Sequence, residues 1–391
     1  MPPRHHVALD SWRGIAALMV ALYHFQTTSV VFQSALFRNA WLFVDFFFVL
    51  SGFVIAANYR DRLAEGFGAV KFLLLRLGRL YPLHVVMLFG FVATELALYL
   101  AASGMKLGSG REYFTGQTAP IGILTNLLLI QGLGIHNGLT WNGVAWSIST
   151  EMWAYVVFAV LATRFAKSLD SAMWLIIAVM FVYCLIEKLL PPGSGRFMEF
   201  ARCLYGFCVG VLLHKAFLAV DRAGTVDRMS IGRITAIEAV ALVLAVVFVI
   251  VARELPTHAL APMTFAPAVL VYAFDRGRIS RLLQARSLVF MGTLSYSIYL
   301  IHPFVQTRIL LPIGLAVQKV TGLPLLSVDQ RPGGTFIWGA SELQSLILTG
   351  MMAAVVIACA WMTYRLIEAP GRDMMRRAVS RPAQTGWRAL A

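Results

Sequence analysis

Arg13 and His24 stand eleven residues apart in one apolar stretch, LDSWRGIAALMVALYHF. Eleven residues carry an α-helix through roughly 1100°, close to a whole number of turns, so both project from one face about 16 Å apart. Gly14, Ala17 and Ala21 lie between them. That small-residue stripe lets another helix or a ligand approach closely. An imidazole this deep in apolar sequence suits a base or a nucleophile near neutral pH; the plainer alternative is a packing stripe with one hydrogen-bonded His. Two further apolar stretches carry carboxylates, Asp45 in LFVDFFFVLSGFVIAANY and Glu151 in NGVAWSISTEMWAYVVF. Both are expected at about the depth of His24, so either could orient its imidazole; the plainer alternatives are Asp45 paired with a structural Arg or capping its helix start, and Glu151 as a structural partner. Ser147 projects beside Glu151 at i,i+4, and Ser51 shares a face with Asn58. Arg76 and Arg79, in RLGRLYPLH, could fork around a phosphate or simply fix topology. In GTLSYSIYLIHP, Ser295, Tyr299 and His302 follow i, i+4, i+7. They are expected as a substrate-side polar stripe, with His302 at the outer mouth.

These residues sit in a chain of 391 residues that is 59% hydrophobic and 13% charged, with a mean hydropathy of +0.74. Soluble domains carry about 25% charged residues, so a soluble enzyme is excluded, as are disorder and a disulfide scaffold. The apolar runs are continuous, which excludes an outer-membrane barrel. A span needs roughly 20 apolar residues. Ten fit, at 9–29, 39–58, 80–102, 143–163, 171–190, 200–218, 234–252, 258–274, 286–303 and 342–366. Segment 120–132 is too short and reads as interfacial or re-entrant. The expected fold is therefore an all-α polytopic bundle of about ten transmembrane helices. No P-loop, dinucleotide fingerprint, H-E-x-x-H or G-x-S-x-G elbow occurs. Cys184, Cys203, Cys208 and Cys359 are isolated, so no metal site is expected.

The net charge of +14 would suggest nucleic acid in a soluble chain. Here the positive-inside rule accounts for it. With the N-terminus inside, 23 of the 33 Lys and Arg fall on inner segments, which puts both termini in the cytoplasm. Residues 1–370 are expected to form the membrane-embedded domain and 371–391 a basic cytoplasmic tail. No cleavable signal is expected. The outer segment 304–341, with LPIGL, GLPLL and RPGG turns, is a candidate acceptor-side lid.

Six stretches together resemble the acyltransferase-3 family of bacterial integral-membrane O-acyltransferases: LDSWRGIAALMVALYHF, FVDFFFVLSGFVI, RLGRLYP, WSISTEMWAY, LSYSIYLIHP and RLIEAPGR. They run in the family's order over nearly the whole chain. Trp12 stands where Leu is usual and Trp153 where Phe is usual. Many members carry an attached periplasmic esterase-like domain, which this chain is expected to lack. The resemblance implies transfer of an acyl group, by default acetyl, from cytoplasmic acyl-CoA to a hydroxyl of an extracytoplasmic glycan or lipid-linked saccharide, at the bacterial cytoplasmic (inner) membrane. It implies His24 as the catalytic histidine and Arg13, Arg76 and Arg79 as acyl-CoA contacts. Glu151 belongs to the fourth-span motif, and Asp45 and Ser51 to the second. No permanently bound cofactor is implied, and the implied partners are acyl-CoA, the acceptor and membrane lipids, without nucleic acid. The 16 Å between Arg13 and His24 is close to the reach of an extended pantetheine arm. The rival from another class is a proton-coupled transporter or flippase, since carriers also use ionisable residues at mid-depth.

Overall fold

The computed structural model describes residues 5–104, 112–186, 189, 197–252, 256–328 and 336–380. Its helices are α1 (Val7–His24), α2 (Ala35–Arg38), α3 (Phe43–Ala64), α4 (Ala69–Gly104), α5 (Ile121–Leu127), α6 (Trp146–Arg164), α7 (Leu169–Ile186), α8 (Met198–Arg222), α9 (Ile231–Val251), α10 (Thr257–Tyr272), α11 (Arg278–Leu283), α12 (Arg286–Phe304), α13 (Leu311–Thr321), α14 (Glu342–Thr363) and α15 (Ala369–Ser380). A short antiparallel hairpin pairs β1 (Leu326–Val328) with β2 (Phe336–Trp338). The protein is an all-α polytopic bundle. Among the described residues, eight helical segments are long and apolar enough to cross a membrane. Of the ten stretches picked from sequence, those on α1 and α10 fall outside that set. Asp10, Arg13 and His24 lower the hydropathy of α1, and α10 has only 16 residues. Segment 120–132 holds the seven-residue α5, too short to span.

Apolar burial gives helices in lipid no mutual attraction, so close packing through small residues holds them together. Glycines make the two tightest pairs here. Gly14 of α1 lies against Gly292 of α12, and a Cβ on either would overlap the other helix's backbone. Gly52 of α3 packs on Phe207 of α8 in the same way, and Gly210 of α8 on Val49. The first pair sets α1 beside α12, and with them the Arg13 and His24 face beside Ser295, Tyr299 and His302. The start of α1 is fixed by Asp275, whose carboxylate accepts from the free N–H groups of Val7 (3.1 Å) and Ala8 (2.8 Å). A carboxylate at a helix N-terminus satisfies orphan donors and complements the dipole.

Several boundaries differ from expectation. Helix α1 ends at His24 rather than near residue 29. The chain beyond it turns extended and bridges the hairpin: Trp338 N–H donates to Gln26 O (2.9 Å) and Thr28 N–H to Trp338 O (3.1 Å). Within the expected lid, LPIGL is not a turn; it opens α13, with proline in the first turn, where its missing N–H costs nothing. The hairpin lies against the end of α1, with Phe25 stacked on Trp338 at 5.2 Å between centroids. RPGG lies outside the described residues. Residues 369–380 form α15, pressed on α4. The boundary drawn at 370 falls inside that helix, and 381–391 lie outside the described residues.

Candidate active site

The face shared by Arg13 and His24 meets α12 at both ends. At one end Arg13 Nη2 donates to Ser295 Oγ (3.2 Å) and Nη1 to Asp10 Oδ1 (2.9 Å). At the other end His24 Nδ1 lies 3.2 Å from His302 Nε2. The α12 side of this ladder is four residues shorter, about 6 Å of helix rise, a gap the long Arg13 side chain covers. His302 is fully buried rather than at an outer mouth, whereas His24 is exposed at the end of its helix.

Neighbouring carbonyls assign the histidine tautomers. His302 Nδ1 lies 3.2 Å from Ile298 O, which can only accept, so this nitrogen carries the proton and Nε2 is left as an acceptor. His24 Nδ1 lies 2.9 Å from Val20 O and faces that acceptor, so it too is protonated. The second nitrogen of His24, Nε2, then carries a free lone pair. A hydrogen bond at one ring nitrogen fixes the role of the other. In this site a neutral imidazole fills the place usually taken by a carboxylate.

The expected carboxylate partners are elsewhere. Asp45 is fully buried and takes Arg202 through two bonds, from Nη2 at 2.7 Å and Nε at 3.2 Å. The Arg202 guanidinium lies over the rings of Trp41 and Trp146 at 5.1 and 5.5 Å. Arg202 was missed from sequence, although an Arg inside an apolar span itself signals a buried carboxylate. Glu151 Oε1 accepts from Ser51 Oγ (2.6 Å) and from Tyr155 Oη (2.5 Å). Ser51 is six residues past Asp45 along α3, about 9 Å of rise, so the two carboxylates stand at different levels and neither hydrogen-bonds His24.

Glu151 instead faces a cavity of about 110 Å³ lined by Arg13, Ser51, Arg76, Arg79, Ser147, Tyr155, Ser295, Tyr296 and Tyr299, with apolar walls from Val44, Phe47, Leu50, Val54, Ile55, Leu80 and Ile148. Arg76 Nη2 donates to Tyr59 Oη at 3.2 Å. Arg79 makes no hydrogen bond or ion pair among the described residues. At the cavity's far end Tyr299 Oη bonds Ser147 Oγ (2.8 Å) and Val144 O (3.1 Å). His302 begins the next turn, its ring 6.1 Å from that of Tyr299. A second cavity of about 280 Å³ shares Arg13, Arg76 and Arg79 and adds Asp10, Tyr59, Glu368, Arg372 and Arg376. The structure thus brings together Arg13, Arg76, Arg79, Glu151, Ser51, Ser147, Ser295 and Tyr299. It pairs His24 with His302 just beyond them and leaves Asp45 outside. Tyr155 and Tyr59 were also missed, each an ordinary aromatic in an apolar run. Among the described residues no three His, Cys, Asp or Glu side chains converge as metal ligands.

A bundle with guanidinium groups at one end of a narrow cavity and a histidine pair past the other fits an acyl-transferring membrane enzyme. The acyltransferase-3 family model, described as "Acyltransferase domain", matches residues 6–365, and the chain belongs to this family. It is similar to "Protein 2 in picA locus" from Rhizobium radiobacter, 31% identical over 189 residues, which cover 47% of this chain and 95% of that protein. No solved structure matches. The protein is a multi-pass membrane acyltransferase.

Proposed function

We propose that the protein moves an acyl group, by default acetyl, from cytoplasmic acyl-CoA to a hydroxyl of an extracytoplasmic saccharide or lipid-linked saccharide at the bacterial cytoplasmic membrane. The observation that carries this reading is the cavity from Arg13, Arg76 and Arg79 to Tyr299, with His302 and His24 one turn beyond. Guanidinium groups at its mouth suit the donor's phosphates. The narrow, mainly apolar passage suits a pantetheine arm. His24 does not line this passage, so it serves the acceptor side. Its Nε2 lone pair takes the acceptor's hydroxyl proton as the oxygen attacks the thioester carbonyl. The C–O bond forms, the C–S bond breaks, and the imidazolium returns the proton to the departing thiolate. His302 accepts from Nδ1–H throughout and stabilises the charged ring. Tyr299 stands at the end of the passage, next to His302.

The acceptor side has its own support. Asn142 Nδ2 donates to Leu300 O at 2.9 Å, which ties the start of α6 to the His302 turn of α12. The same segment walls a cavity of about 580 Å³ lined by Gln131, His136, Asn137, Thr140, Trp146 and Glu199. Amides, a carboxylate and an indole face suit a polyhydroxylated ligand. With both termini in the cytoplasm, donor and acceptor enter from opposite faces. The test is purified protein in proteoliposomes given labelled acetyl-CoA and envelope glycan. Label should move to glycan with wild type and not with His24→Ala. Glycan crossing the bilayer with no label transferred would overturn the reading.

A further inference from the structure

The second cavity contains more positive charge than a diphosphate needs. Five guanidinium groups, from Arg13, Arg76, Arg79, Arg372 and Arg376, line it against the carboxylates of Asp10 and Glu368. Both acids are already engaged, Asp10 with Arg13 (2.9 Å) and Glu368 with Ser297 Oγ (2.7 Å). Arg79 and Arg376 make no hydrogen bond or ion pair among the described residues. The Nε atoms of Arg76 and Arg372 are buried without a hydrogen-bond partner; Arg372 Nε is ion-paired with Asp373 at 3.6 Å, which leaves its two terminal amino groups for a ligand. Clustered cations with unspent donors are the footprint of a multiply charged anion.

The outer two arginines come from α15, and the placement of that helix is built in. Gly78 of α4 lies under Met375, and Gly371 of α15 under Pro82; a Cβ on either glycine would overlap those side chains. Arg372 and Arg376 are four residues apart and share a face of α15. They belong to the second cavity alone, while Arg13, Arg76 and Arg79 line both. The anion-binding groups therefore fall in two sets: three at the neck of the narrow passage and two further out.

We propose that Arg372 and Arg376 bind a phosphomonoester set apart from the diphosphate at the neck, namely the 3′-phosphate on the ribose of the CoA donor. This rests on the acyl-CoA reading and deepens it. Of the two carriers of a pantetheine arm, CoA has phosphate at two places along its length. An arm on a carrier protein ends in a single phosphodiester and leaves the outer pair unused. The α15 helix is thus a specificity element that selects free CoA.

The test is direct binding of CoA and of 3′-dephospho-CoA to the full chain in phosphatidylcholine nanodiscs, which needs no acceptor. Wild type should bind CoA tighter than 3′-dephospho-CoA by about tenfold, one charge-assisted bidentate contact. Arg372→Gln and Arg376→Gln should each weaken CoA binding toward the dephospho value and leave 3′-dephospho-CoA unchanged. Arg377→Gln, outside the cavity, should change neither. Arg372→Lys, which keeps charge and fold but loses the fork, should fall between wild type and Arg372→Gln. Equal affinity of wild type for both ligands, or equal weakening of both in the variants, would overturn the assignment and leave the acyl-CoA reading standing. Binding of neither ligand by wild type would overturn both. Nanodiscs containing phosphatidylglycerol separate the other phosphate source: if a lipid headgroup fills the outer pair, they should erase the CoA preference in wild type, which would also overturn the assignment.

Discussion

Replacing His302 with Phe removes the acceptor that His24 Nδ1–H faces at 3.2 Å while keeping an aromatic ring in a fully buried slot. Hydrogen bonds to charged groups contribute roughly 1.5–3 kcal/mol, and the bond matters most when His24 is an imidazolium. The loss is not complete, because Val20 O still accepts the same proton at 2.9 Å and so retains the tautomer. The effect should therefore sit at the low end, about 1.5 kcal/mol or roughly a tenfold fall in kcat. His24→Ala removes the base itself and should cost roughly 10²–10⁴-fold. The assay is acetyl transfer to glycan by purified variants, with thermal unfolding in detergent as the folding control. Full activity of a folded His302→Phe protein would refute the role of the histidine pair. A loss as large as that of His24→Ala would refute Val20 as a sufficient second acceptor.

Asp45 and Arg202 should be structural. Asp45→Asn should destabilise by about 3–5 kcal/mol, and Asp45→Leu with Arg202→Met should recover most of it. A normal melting temperature with abolished transfer in Asp45→Asn would return Asp45 to the chemistry. Arg76→Gln and Arg79→Gln should raise KM for acetyl-CoA more than they lower kcat, since phosphate anchoring is mostly uniform binding. Lysine at either position should restore only part, lacking the fork; unchanged CoA affinity in both glutamine variants would leave the two as topogenic charges. With the native Cys replaced, Cys placed at Ser327 should react with an impermeant thiol reagent in intact spheroplasts, and Cys placed at Ser380 only after the membrane is opened. The reverse pattern would turn the arginines away from cytoplasmic CoA.

Much of the scaffold was legible because continuous apolar runs leave the chain few alternatives to a helix. The Gly14, Ala17 and Ala21 stripe also foretold a close neighbour, which is α12. Partner choice was not legible. Spacing along a helix gives depth and face, but not which helix stands opposite. Asp45 and His24 fall near the outer ends of their stretches, yet Asp45 turns to Arg202, 157 positions away, and His24 to His302, 278 away. The end of α1 was misplaced because its stop comes from the hairpin around Trp338, a distant segment. That α15 packs as a helix was not read from sequence, because its arginines dominate the composition. The signal for it was Gly371 and Met375, which make the close contact with α4.

Mass spectrometry of envelope glycans measures the central claim directly, in cells carrying the wild-type chain, the His24→Ala chain or neither. Transfer through His24 requires an acyl mass on saccharide with wild type and its absence in the other two. The same acylated glycan in all three would contradict it.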